Sequence, residues 1–215
     1  MTFDLAGHLG AMVRTVRELE RDGRPARAVI AWRIYDTDAA DLWDAVTRPE
    51  RLARWFAPVT GELVLGGRYQ VEGNAGGTIT ACEPERRIEL TWEFAGVPSW
   101  VTVTLTPEGE GTRLELEHVA HVSPHWDTYG AGATGVGWDL AFMGLARHLA
   151  EPQAAVAQEA LAGWFASPEA LDFIRTTSDD WGRAAIGGGA DPDWALKAAE
   201  ATRKFYSGEP PTAQD

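Results

Sequence analysis

His118 closes an alternating run, Leu114, Leu116, His118, that puts its imidazole on the same side as two apolar side chains. A histidine in that position is either a hydrogen bonder or general base facing a bound molecule, or an imidazole whose own bonds close the end of a sheet. Tyr69 shares the apolar side of its run with Val71, as Trp92 does with Ile88, Leu90 and Phe94, and each carries a polar tip on an apolar body. Val101, Val103 and Leu105 form the matching side of a further run. Two chemistries are open to such a set: proton transfer by His118 or Tyr69, or hydrogen bonding to a molecule laid against the apolar groups. Covalent catalysis has no support. Cys82 is the only cysteine and lies beside Pro84, and the only lysines, Lys197 and Lys204, come late in the chain.

Two sharper patterns carry less than they promise. His118, His121 and His125 are spaced as His-x2-His-x3-His, but residues 118 and 121 of an extended strand point to opposite faces, so no metal site is expected. Gly130-Ala131-Gly132-Ala133-Thr134-Gly135 satisfies the dinucleotide pattern, yet no hydrophobic strand leads into it and no parallel crossover follows. No cofactor is expected. The chain of 215 residues has 32 acidic and 19 basic side chains, a net charge of −13, which repels phosphate backbones and argues against a nucleic-acid partner. No apolar run approaches the ~20 residues that span a bilayer, and one cysteine forms no intramolecular disulfide. A cytoplasmic protein without a membrane segment is the expectation.

The elements that must position these residues read as follows. Leu5, Leu9, Met12, Val16 and Leu19 form one stripe, predicting an amphipathic helix over 4–21 that Asp22-Gly23-Arg24-Pro25 ends. A strand over 28–35 follows, then two short helices, the first capped by Asp38 and the second opened by Pro49. Six short strands are predicted between Val59 and His121. A polar, glycine-rich stretch over 123–137 leads to a long helix with Trp138, Phe142, Leu145 and Leu149 as its stripe. An Ala-rich helix is expected over 152–166, another after Ser167-Pro168, and a last one after Asp191-Pro192 with Trp194, Ala198, Ala201 and Phe205 as its stripe, before a disordered tail from Glu209.

This order, with several local motifs, resembles the helix-grip superfamily of START and Bet v 1-like proteins, and within it the branch related to the activator of Hsp90 ATPase. The motifs are Asp41-Leu42-Trp43-Asp44-Ala45-Val46-Thr47, Pro49-Glu50-Arg51-Leu52, Trp55-Phe56-Ala57-Pro58, Gly66-Gly67-Arg68-Tyr69, Gly77-Thr78-Ile79, Pro84, Ile88-Glu89-Leu90-Thr91-Trp92, the run from Gly111 to His118, and Gly137-Trp138. The resemblance covers roughly 28–150. It implies an α+β helix-grip fold: a curved antiparallel sheet of about seven strands around a long C-terminal helix, with two short helices after the first strand and additional N- and C-terminal helices. The domain reading is an N-terminal helix and linker over 1–27, the helix-grip domain over 28–150, and a helical extension over 151–215.

Such a fold implies an internal cavity for apolar or aromatic molecules. Trp43, Trp55, Tyr69, Trp92, Val103, His118, Trp138 and Phe142 are the side chains expected to meet a ligand. Family members include lipid carriers, polyketide cyclases and aromatases, co-chaperone domains, and proteins that protect producers of enediyne antibiotics, so fold alone does not choose a function. With ten tryptophans and no catalytic constellation, the preferred expectation is a protein that binds a hydrophobic, aromatic or polyketide-like small molecule as carrier, sequestration agent or self-resistance factor. The alternatives are a cyclase or aromatase using His118 or Tyr69, and a co-chaperone-like interaction domain. The aromatic terminal helices are expected to pack in cis, with a homodimer through them as the other arrangement.

Overall fold

The computed structural model describes residues 4–153 and 163–209. Its elements run α1 (Leu5–Gly10), β1 (Val13–Arg21), β2 (Arg24–Tyr35), α2 (Ala39–Thr47), α3 (Pro49–Trp55), β3 (Val59–Gly61), β4 (Arg68–Val71), β5 (Gly76–Glu83), β6 (Arg87–Phe94), β7 (Val97–Glu108), β8 (Gly111–His121), α4 (Pro124–Tyr129), α5 (Gly132–Ala150), α6 (Pro168–Gly187) and α7 (Pro192–Ser207). The eight strands form one sheet in the order β1-β2-β8-β7-β6-β5-β4-β3. The chain is thus α+β, with the helix-grip element order. Among the described residues no helix is long and apolar enough to cross a membrane.

The N-terminal expectation is corrected. The helix is confined to Leu5–Gly10, and Val13–Arg21 is a strand, which makes the sheet eight strands rather than about seven. Val13, Thr15 and Val16 favour extended backbone, and Asp22 and Gly23 both adopt positive φ, 53° and 71°, the type I′ geometry that folds β1 back on β2. Asp-Gly here joins strands instead of ending a helix. Between Val59 and His121 the six expected strands are present. The glycine-rich stretch is not a loop: Ser123 caps α4 by accepting from the Trp126 amide, and Gly132, Gly135 and Gly137 lie within α5. Most of the Ala-rich segment over 152–166, and the tail beyond Glu209, lie outside the described residues.

The described residues fall into two compact units, one drawn from Met1–Val13, Ile30–Ala120 and Ala141–Ala155, the other from Arg14–Val29, His121–Leu140 and Val156–Asp215. In the first, α2 packs against β7 and α3 against β3. Asp38 caps α2 by accepting from the Asp41 amide, and Leu42 and Ala45 bury its inner face completely. Tyr35 stacks on Phe142, ring centroids 6.4 Å apart, and donates its hydroxyl to the Phe142 carbonyl at 3.1 Å. Gly144 lets the end of α5 approach α3, because a Cβ there would stand 2.5 Å from the Trp55 carbonyl oxygen.

In the second unit, Trp181 is wholly buried and its indole N–H donates to Asp139 at 2.8 Å. The Arg14 guanidinium holds the same carboxylate at 3.1 Å and reaches Asp180 at 3.0 Å. Burial pushes the Asp139 carboxyl up to about 6, with Arg14 and Trp181 pulling it back. The buried stripe of α7 is Ala195, Ala198, Ala199 and Thr202, turned from the expected one: Trp194 is half-buried and Phe205 is exposed. Small side chains let the two helices approach, with a Cβ at Gly182 falling 3.0 Å from that of Ala199.

Gly135 is where this packing is least forgiving. A Cβ added there would sit 2.2 Å from Trp181 Cε2, on a ring that is fully buried and tied to Asp139. Gly135→Ala, although it raises helix propensity, is expected to lower stability by ~3 kcal/mol. The check is urea denaturation followed by tryptophan fluorescence, and an unchanged midpoint would show that Trp181 is not seated against this turn.

Candidate ligand-binding face

Antiparallel register sorts the sheet's side chains into rows. Leu90 lies opposite Ile79 on one side and Val101 on the other, and Val101 in turn lies opposite His118. The neighbouring rows are Ile88, Val103 and Leu116, then Trp92 with Ser99, then Phe94 with Val97. Because alternate residues point to opposite faces, one face of β6, β7 and β8 is apolar except for Ser99, His118 and Thr112, while the other carries Glu89, Thr102, Glu115 and Glu117. The expected inward parity of His118, Trp92 and Val103 is what the register produces.

This apolar face is incompletely covered. Tyr69, Val71 and Ile79 form a buried cluster, and Phe56, Leu63, Ile88, Leu90 and Trp92 pack against it while staying half-buried. Val103 is half-buried as well, and the rows end in exposed Phe94 and Val97 at the tip of the β6–β7 hairpin. That hairpin turns through Ala95 and Gly96, both at positive φ, 49° and 78°.

His118 is only 7% exposed, and its Nε2 lies 2.8 Å from Ser99 Oγ. Ser99 donates its hydroxyl hydrogen to the Trp92 carbonyl at 2.9 Å. A serine has one hydrogen to give, so the oxygen must accept from His118, which fixes the N–H of the neutral ring at Nε2. The Trp92 ring stands edge-on to the imidazole, centroids 6.2 Å apart. Tyr69 donates to the Thr91 carbonyl at 2.6 Å, and burial together with Glu93 holds its phenol well above the usual range, Arg68 opposing. Both expected proton-transfer groups thus have a hydrogen engaged inside the fold.

The remaining expected residues are placed as follows. Trp55 is half-buried and donates its indole N–H to the Ala45 carbonyl at 3.0 Å, and Trp43 is half-buried on α2. Phe142 is buried against Tyr35. Trp138 belongs to the second unit. The residue that sequence reasoning missed is Ser99, although its parity with Val101 and Val103 was legible; nothing local marked it as the partner of a histidine nineteen positions away. Among the described residues no three His, Cys, Asp or Glu side chains stand together as metal ligands. The first unit also has an open polar cleft of about 590 Å³ lined by Asp41, Asp44, Arg48, Arg51 and His148. Arg51 reaches Asp41 at 2.5 Å and Asp44 at 3.3 Å and donates Nε to His148 at 3.1 Å, while Arg54 donates to the Pro152 carbonyl at 2.8 Å.

Burial pushes the His118 imidazole down to about 4. The unfolded ring takes up its proton near pH 6.5, before the folded one does, so this group's contribution to stability is present above 6.5 and is lost as pH falls toward 4. His118→Gln can still donate to Ser99 and does not titrate. It should therefore flatten the pH dependence of the unfolding free energy between pH 6.5 and 4, where wild type loses up to ~3 kcal/mol by this route. Parallel denaturation curves for both proteins across that range would place the imidazole in a solvated environment instead.

Comparison with known proteins gives this geometry a family. No curated protein matches the sequence. Among solved structures, CalU16 from Micromonospora echinospora is 31% identical, with a TM-score of 0.65 over 82% of this chain and 99% of its own. DynU16, a protein of the dynemicin biosynthetic locus, is 25% identical with a TM-score of 0.53 over 58% of this chain and 48% of its own. The protein MLL2253 from Mesorhizobium loti is 26% identical with a TM-score of 0.53, over 59% and 99% of the two chains. The family described as activator of Hsp90 ATPase homolog 1-like protein matches residues 36–150, the segment that holds α2 to α5 and the whole apolar face, and the chain belongs to that family.

Proposed function

We propose that this protein binds a hydrophobic, aromatic or polyketide-like small molecule against the apolar face of β6, β7 and β8, serving secondary metabolism as a carrier, sequestration agent or self-resistance protein. The observation that carries the reading is the half-buried state of Ile88, Leu90, Trp92 and Val103, four large apolar side chains on the inward face of a sheet. Leaving such area accessible costs about 25 cal/mol per Å², a cost that a ligand covering it would remove. Trp92, and Trp43 and Trp55 on the adjoining helices, supply flat surfaces of the kind that stack on aromatic rings. The likeness to DynU16 supports the metabolic setting.

The cyclase or aromatase reading is served less well. Tyr69 gives its hydroxyl hydrogen to the Thr91 carbonyl and must break that bond before it can protonate a ligand, and burial pushes the His118 imidazole down to about 4, which leaves it a weak base near neutral pH. No observation favours the co-chaperone reading.

The neutral apolar fluorophore N-phenyl-1-naphthylamine tests the proposal. Saturable binding should quench tryptophan emission and raise the melting temperature, since a ligand of the native state stabilises it. Trp92→Ala should weaken the affinity by about tenfold while the protein stays folded. Native mass spectrometry of protein purified from its own host, followed by denaturing extraction, would identify a natural occupant. No saturable binding and no thermal shift would sink the reading.

A further inference from the structure

Resting on the binding reading above, we propose that the ligand group meeting the His118–Ser99 pair is a neutral hydrogen-bond donor, namely a phenolic hydroxyl, and that the site discriminates against carboxylates and against ethers of the same ring. The argument is an inventory of hydrogens. Ser99 spends its only hydrogen on the Trp92 carbonyl, and His118 spends the Nε2 hydrogen of its neutral ring on Ser99. What Ser99 still offers is the second lone pair of its Oγ, an acceptor, and the Nδ1 of a ring protonated at Nε2 carries no hydrogen to donate either. The other hydroxyls on the inner side of this unit follow the same habit: Tyr35 donates to the Phe142 carbonyl, Tyr69 to Thr91 and Thr112 to Thr37, so each oxygen is left as an acceptor.

Charge points the same way. The inward positions of β6, β7 and β8, taken alternately over 88–94, 97–105 and 112–118, hold no lysine or arginine. A carboxylate seated there would lose its hydration and gain no cation from these three strands, which is costly in an apolar setting. The pair also has a position along the face. Trp92 and Ser99 lie one row in from the exposed Phe94 and Val97, so the donor would sit toward the hairpin tip with the apolar body running inward over Leu90, Val101 and Ile88.

Three probes with one ring system separate the cases: 2-naphthol, 2-methoxynaphthalene and 2-naphthoate, titrated into the intact protein at neutral pH and read by calorimetry. Hydrophobicity alone favours the ether, so a preference for the naphthol reports the hydrogen bond. The expected result is 2-naphthol binding about tenfold tighter than the ether, with the naphthoate no better than the ether. In Ser99→Ala the ratio of naphthol to ether affinity should fall to about one, with folding checked by the thermal melt. If that variant does not fold, the wild-type ratio decides alone. An ether or naphthoate that binds as tightly as the naphthol overturns this inference and leaves the binding reading standing, as does a preference that survives in folded Ser99→Ala. Failure of all three probes, together with failure of N-phenyl-1-naphthylamine, overturns the binding reading itself.

Discussion

Val101 lies directly opposite both Leu90 and His118, and this one line of register ties β6, β7 and β8 into a shared inner face. Side chains alternate along every strand, so a slip by a single residue would exchange Leu90, Val101 and His118 for Glu89, Thr102 and Glu117. The apolar rows, the seat of the imidazole and the exposed hairpin tip therefore stand or fall together. Short turns fix the register: Ala95 and Gly96 join β6 to β7 with both residues at positive φ, leaving Phe94 and Val97 as the last pair.

The His118–Ser99 bond is what makes this face chemically specific. A buried imidazole N–H left without a partner costs more than its bond contributes when made, so Ser99 is needed wherever His118 is buried. The serine oxygen in turn needs somewhere to send its hydrogen, and the Trp92 carbonyl receives it. This chain of donors runs from the ring to the backbone and leaves acceptors behind, an arrangement that suits recognition of a neutral hydroxyl better than removal of a proton.

The second unit solves a different problem. Strand β1 and helices α5 and α6 bring an arginine, two aspartates and a tryptophan together at Arg14, Asp139, Asp180 and Trp181, with Asp139 fully buried. A buried carboxylate with both a guanidinium and an indole N–H as partners is tolerable, whereas one that lost either would not be. Glycines inside α5 are the steric counterpart, since Gly135 leaves the space that the Trp181 ring fills. A pattern that satisfies a dinucleotide motif on paper is here a helix surface cleared for an aromatic ring.

Alternation, periodicity and turn residues determined much of this protein without help: the six strands between Val59 and His121, the cap at Asp38, the helix starts after Ser167-Pro168 and Asp191-Pro192, and the inward parity of Tyr69, Trp92, Val103 and His118. Period and capping are local properties, and local properties survive in a linear text. The N-terminal stripe was misread because Leu5, Leu9, Met12, Val16 and Leu19 fit a helical period while β-branched residues and an Asp-Gly turn favoured a hairpin that gains its stability only by pairing with β2. Tertiary structure alone decided which histidine bonds which serine, which hydrogens are already spent, and why glycines belong inside a helix. Those outcomes depend on residues brought together across seven to more than a hundred positions, and sequence spacing carries no record of such contacts.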